Sequence, residues 1–132
     1  MARPTLLVVD DNQAFREACV LALARAGYRL LQAADGYEAV QLARLHRPDL
    51  ILLDLELPAL SGWATRALLR EHAATREIPV AAVTALALPD LASRLREAGF
   101  CAYLAKPVRL ASLLRAVESC IEGSGGRIGP AG

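Results

Sequence analysis

Asp10 and Asp11 follow the apolar run Leu6-Leu7-Val8-Val9, and Asp54 closes the run Leu50-Ile51-Leu52-Leu53. Four apolar residues without alternation read as a strand buried on both faces, as in a parallel sheet covered by helices. An unpaired ionised carboxylate inside such a core is very costly. The acids therefore belong where each strand leaves the core, at its carboxyl end, which is the rim where open α/β sheets bind ligands. Two further polar residues close strand-like runs: Thr84 after Val80-Ala81-Ala82-Val83, and Lys106, followed by Pro107, after Ala102-Tyr103-Leu104-Ala105. Lys106 is the sole lysine among fifteen basic residues, so a compact ammonium stands where the chain otherwise uses guanidinium.

If the strands run parallel, these groups converge on one edge. Three carboxylates that close raise one another's pKa unless a cation joins them. A hard divalent ion, Mg²⁺, suits all-oxygen ligands. A hydroxyl and an ammonium facing that ion would each hold an oxygen of a phosphoryl group, leaving Asp54 as a nucleophile able to form an aspartyl phosphate. Each residue also has a duller role open to it. An acid after a strand can cap a helix or form a turn, and Thr is a common strand residue. Their joint placement, each at a strand's carboxyl end, is what carries the chemistry.

Five strand–helix alternations must position these residues. The strands are expected at Thr5–Val9, Leu30–Ala33, Leu50–Asp54, Val80–Thr84 and Ala102–Ala105. Asn12 caps a first helix running to Ala26, with Phe15, Cys19, Val20 and Leu23 inward and Gly27 as its stop. Asp35 and Glu38 fit a capping box for the second helix, which ends before Pro48. A loop from Pro58 to Gly62 leads to a third helix from about Trp63 to His72. Pro89 and Asp90 suit the first turn of a fourth, reaching about Ala98 before Gly99. The fifth spans Arg109–Ile121, with Leu110, Leu113, Leu114, Val117 and Ile121 on one stripe. Alternation of this kind implies a parallel sheet wound by right-handed crossovers.

At 132 residues and 55% hydrophobic content the chain is expected to be one folded domain, residues 1–122, with a flexible Gly-rich tail at 123–132. A net charge of +1 gives no strong field for nucleic acid or a membrane surface. No apolar run reaches the roughly 18 residues of a membrane span, and the few residues before the first strand are too short for a signal peptide. Cys19, Cys101 and Cys120 lack CxxC spacing and read as small buried hydrophobes in a reducing cytoplasm.

Leu7-Val8-Val9-Asp10-Asp11-Asn12, Pro48-Asp49-Leu50-Ile51-Leu52-Leu53-Asp54 with Pro58 and Gly62, Val83-Thr84-Ala85, and Tyr103-Leu104-Ala105-Lys106-Pro107 together resemble the receiver domain of bacterial two-component response regulators. The resemblance extends from about Thr5 to Ile121. It implies a CheY-like, flavodoxin-like (βα)5 fold with strand order 2-1-3-4-5 and helices on both faces. It implies that Asp54 is the phosphoacceptor, and that Asp11, Asp54 and the backbone carbonyl of Glu56 ligate Mg²⁺, with Asp10 acting mainly through a bound water. Thr84 and Lys106 would each hold a phosphoryl oxygen. Tyr103 would be the aromatic switch that turns inward when Thr84 moves, remodelling the face of helix four, strand five and helix five.

Ser61 stands where the family often has Asp, and Ala59 where Gly or Asn is frequent. Glu56 and Leu86 occupy positions that tune phosphoryl lifetime in the family. The expected function is a cytoplasmic switch, not an enzyme in the ordinary sense, though the chain takes part in its own phosphorylation and dephosphorylation. Its partners would be a histidine kinase or phosphotransfer protein and a downstream protein target or output domain, with a homodimer on activation also open. No direct contact with nucleic acid or membrane is expected. Two rivals remain at this point: a receiver fold that no longer switches, and a haloacid-dehalogenase-like phosphatase. The latter wants Asp where Glu56 stands, and the reverse order of nucleophile and acidic pair.

Overall fold

The computed structural model describes residues 3–123. The tail expected at 123–132 lies, from residue 124 onward, outside them. Five strands alternate with five helices: β1 (Thr5–Val9), α1 (Gln13–Arg25), β2 (Arg29–Ala33), α2 (Gly36–His46), β3 (Leu50–Asp54), α3 (Gly62–Glu71), β4 (Val80–Thr84), α4 (Leu91–Glu97), β5 (Ala102–Ala105) and α5 (Leu110–Ile121). All four strand pairings are parallel and the order is β2-β1-β3-β4-β5, the flavodoxin-like arrangement expected.

The absence of alternation in β1 and β3 has a direct physical cause. Leu7, Val9, Ile51 and Leu53 enter one core, which Ala39 and Ala43 of α2, Leu69 of α3 and Leu95 of α4 complete. Leu6, Val8, Leu50 and Leu52 enter the other, with Cys19 and Leu23 of α1 and Leu113, Ala116, Val117 and Cys120 of α5. With helices on both sides, neither β1 nor β3 has a face free to be polar.

Local signals place the helices. Asn12 caps α1 by accepting from Phe15 N–H at 2.9 Å, and Ser61 caps α3 by accepting from Ala64 N–H at 3.1 Å. Asp35 caps α2 through Glu38 N–H, but the return bond of the capping box runs from Ala34 N–H, not from Asp35, to the Glu38 carboxylate.

Two expectations need correction. The fourth helix begins at Leu91, after Pro89 and Asp90, and Asp90 flanks it without a side-chain capping bond. The inner stripe of α5 is rotated: Ser112, Leu113, Ala116, Val117 and Cys120 are buried, Leu114 and Ile121 lie at the margin, and Leu110 is 55% exposed. Small residues on the inner face let α5 approach the sheet, and the leucine at its start is left outside.

Candidate functional site

β1 and β3 are neighbours at the centre of the sheet, in the register Val9 opposite Leu53. The chain winds away from them in opposite directions, so a crevice opens beyond their carboxyl ends. Asp10, the residue after β1, is 1% exposed, and its N–H donates to Ala33 carbonyl at 3.1 Å. Asp54, the last residue of β3, is 4% exposed. Each folds one carboxylate oxygen back onto the chain: Asp10 Oδ1 accepts from Asn12 N–H at 2.9 Å, and Asp54 Oδ1 from Glu56 N–H at 3.0 Å.

Lys106 reaches in from the end of β5 and joins the two acids. Its Nζ donates to Asp10 Oδ2 at 2.8 Å and to Asp54 Oδ2 at 3.3 Å. Its backbone N–H is fixed to Thr84 carbonyl at 2.9 Å, and the Lys106–Pro107 peptide is cis. Asp11 stays exposed on the rim, yet one oxygen from each of Asp10, Asp11 and Asp54 lies within 4.8 Å of the others. Thr84 is fully buried beside them, its Oγ1 accepting from Leu86 N–H at 3.0 Å.

Burial raises the Asp54 pKa above the ordinary carboxylate value. The Glu56 N–H pulls against that rise, the Asp10 charge adds to it, and Lys106 opposes it by charge and hydrogen bond. For Lys106, burial works against the charged form, but the hydrogen bond to Asp10 and the charges of both acids win and raise its pKa. The balance of charge is three carboxylates to one ammonium. An all-oxygen set with two buried members and one on the rim fits a hard divalent cation that retains waters.

Of the residues expected here, Asp10, Asp11, Asp54, Thr84 and Lys106 gather at one rim. The Glu56 side chain points out to solvent while its N–H binds Asp54, and Tyr103, half-buried on β5, packs against the core on the α4 side. Two site neighbours escaped the sequence reading. Arg16 donates through Nη1 to Asp10 carbonyl at 2.7 Å and through Nε to Gln32 Oε1 at 3.0 Å, so it braces the end of β1. Its position four residues after a capping Asn, one helical turn back toward the strand, is the signal that could have found it. Phe15, read as core, also lies under the Lys106 ammonium, 4.5 Å from Nζ to the ring centre.

Comparison with known proteins gives a consistent answer. The response regulator receiver domain family matches residues 6–118. The polar-differentiation response regulator DivK of Brucella anthropi is 36% identical over 115 residues, spanning 87% of this chain and 94% of that protein. The receiver domain of sensor histidine kinase PA1611 from Pseudomonas aeruginosa PAO1, solved with a magnesium ion coordinated in its active-site cleft, is 36% identical with a TM-score of 0.83, covering 92% of this chain and 99% of that one. Chemotaxis response regulator CheY4 of Vibrio cholerae is 27% identical with a TM-score of 0.84, covering 90% and 99%.

Proposed function

The chain belongs to the response regulator receiver domain family of two-component signalling, and we propose that it is a phosphorylation-controlled switch whose acceptor is Asp54. The observation that carries this reading is the Lys106 ammonium bridging two buried carboxylates beside a third on the rim. The phosphatase alternative falls with the family assignment.

In the proposed reaction, a histidine kinase or phosphotransfer protein presents a phosphohistidine. An Asp54 oxygen attacks phosphorus, the P–N bond breaks, and its electron pair leaves on the imidazole nitrogen. Glu56 N–H holds Oδ1, so we assign the attack to Oδ2, whose contact with Lys106 is the longer of the two ammonium contacts. A raised pKa makes the ionised carboxylate the stronger nucleophile. Lys106 then transfers its hydrogen bond to a phosphoryl oxygen, and the Thr84 hydroxyl turns from Leu86 N–H to donate to another. Asp11, Asp54 and the Glu56 carbonyl would hold Mg²⁺, with Asp10 acting through a bound water; when bound, the ion supplies positive charge against the incoming phosphoryl oxygens.

The movement of Thr84 would free space for Tyr103, two residues from it in register on the neighbouring strand. The inward turn of that ring would reshape the face of α4, β5 and α5, where Leu88 and Leu110 are exposed. The signal would leave there by contact with a protein target or output domain in the cytoplasm, or with a second copy of the chain.

Incubation of the protein with acetyl phosphate and Mg²⁺, read by intact mass, tests the assignment. One phosphoryl group should add to the parent protein and none to Asp54→Ala. An adduct of equal yield on Asp54→Ala would remove the acceptor role from this residue.

A further inference from the structure

At the end of β5 opposite Lys106, two thiols meet. Cys101 directly precedes β5, and Cys120 lies in the last turn of α5; their Sγ atoms are 2.6 Å apart. A disulfide bond is about 2.04 Å long, so a small side-chain adjustment separates this contact from a bond. The backbone on both sides is already fixed. Cys101 N–H donates to Val80 carbonyl at 2.8 Å, and Cys120 is buried on the inner face of α5. Cys101 is only partly buried, whereas Cys120 is buried, so Cys101 is the member of the pair nearer solvent. A third group bears on the pair. Arg66 of α3 is buried with its Nε and Nη2 on Gly99 carbonyl, while its Nη1 has no hydrogen-bond partner among the described residues. The Cys120 contact and burial push the Cys101 thiol up, and the Arg66 charge works against that rise.

We propose that Cys101 and Cys120 are a redox pair that closes to a reversible intramolecular disulfide when the protein meets a peroxide. The shared hydrogen bond holds the Cys101 thiol up and the Cys120 thiol down from their ordinary values, so Cys120 is the base of the pair. As hydrogen peroxide reaches Cys101, its sulfur attacks one peroxide oxygen and the O–O bond breaks. Hydroxide leaves, and the Cys101 proton passes to Cys120. The Cys120 sulfur then attacks the sulfenic sulfur of Cys101, the S–O bond breaks, and water leaves with the Cys120 proton. Two sulfurs lose one electron each, and the two peroxide oxygens gain two. The new bond fastens the end of α5 to β5. Cys19 is the internal control: among the described residues its sulfur has no thiol partner to close a bond with, and burial first, and then the Asp10 charge, push its own thiol up to about 11.

The experiment uses the whole chain, reduced, desalted, treated with hydrogen peroxide, then unfolded and alkylated with iodoacetamide. Reduced protein should take three alkyl groups, one for each cysteine. Oxidised protein should take one, on Cys19, and a protease digest should contain the Cys101 and Cys120 peptides joined. Dithiothreitol should restore all three sites, and the oxidised form should melt at a higher temperature than the reduced form. Cys19→Ser should respond in the same way, and Cys120→Ser should form no internal bond. Three alkylated sites after peroxide, sulfinic acid on Cys101 with Cys120 still alkylated, or dimers linked through Cys101 would each overturn the proposal. The outcome is independent of whether Asp54 accepts phosphate.

Discussion

The ends of β1 and β3 share one local design and differ in how firmly they are held. Each ends in a buried Asp that folds one carboxylate oxygen onto the N–H two residues ahead and turns the other toward Lys106. At the β1 end the ammonium contact is 2.8 Å, Arg16 grips the Asp10 carbonyl, and the chain passes straight into α1 under the Asn12 cap. At the β3 end the ammonium contact is 3.3 Å, the Asp54 pKa is raised, chiefly by burial, and residues 55–61 form a loop before α3 begins. The first end keeps a charge in place. The second leaves a carboxylate able to exchange one partner for another, which is what an acceptor of a phosphoryl group must do.

Removing the shared ammonium breaks this comparison most severely. Lys106→Met leaves two buried carboxylates facing each other without a cation. Breaking a buried pair costs roughly 3–5 kcal/mol; because the Lys106 side chain is 23% exposed, screening reduces the expected loss to about 2 kcal/mol, measured by urea unfolding at neutral pH. The deficit should shrink on acidification. Asp54 binds its proton more tightly folded than unfolded, so its contribution to stability is present below the ordinary carboxylate value and is lost as pH rises through its folded value. Without Lys106 that value rises further, and acid relieves the variant more than the parent. The same substitution in an Asp10→Asn background should cost less than in an Asp54→Asn background, because the shorter contact is with Asp10. Equal costs would mean that the two ends are held alike.

Gly62→Ala strains the β3 end alone. A Cβ at this position would run into the Asp54 carbonyl oxygen and the Leu55 Cα, both backbone atoms that cannot step aside. Gly62 N–H also donates to Leu55 carbonyl at 2.9 Å, so the glycine fastens the loop against the strand that carries Asp54. Overpacking of this kind costs about 1–3 kcal/mol. Labelling by acetyl phosphate should slow, and the amide resonance of Glu56 should shift while that of Asn12 stays. Movement of both amides would show that strain passes between the strands and that the two ends are not independent.

The strand runs alone make most of this site legible in the sequence. Asp10, Asp54, Thr84 and Lys106 each close an apolar run, and a parallel sheet forces such run-ends onto one edge. That is why a Lys 96 residues from Asp10 could be placed beside it. What stayed hidden depends on rotation about a helix axis or on side-chain reach. The Arg16 brace needs the exact turn of α1 that faces the strand. The Cys101–Cys120 contact needs the rotation of α5, and a reading that put the largest side chains inward placed Leu113 and Val117 correctly but added Leu110, Leu114 and Ile121 and left out Ser112, Ala116 and Cys120. The sulfurs are 19 residues apart in sequence, with no spacing motif to announce them.

Ala59 is the smallest lever on the β3 end. It adopts φ +65° in the loop between Asp54 and α3, the left-handed region where a Cβ crowds the backbone. The α1 junction has no such residue, since Asn12 enters its helix from extended backbone. Ala59→Gly removes the crowding, worth roughly 1–2 kcal/mol, but adds conformational freedom to the unfolded chain, which takes back about 0.4–1 kcal/mol. The expected net is a gain of about 0.5 kcal/mol, read as a higher urea midpoint with unchanged slope. An alanine methyl offers no hydrogen bond to the carboxylates or to Lys106, so the acetyl phosphate adduct should still form on Asp54 alone. A loss of stability instead would show that the loop is held by the alanine methyl, and that the β3 end is braced from a side the β1 end does not use.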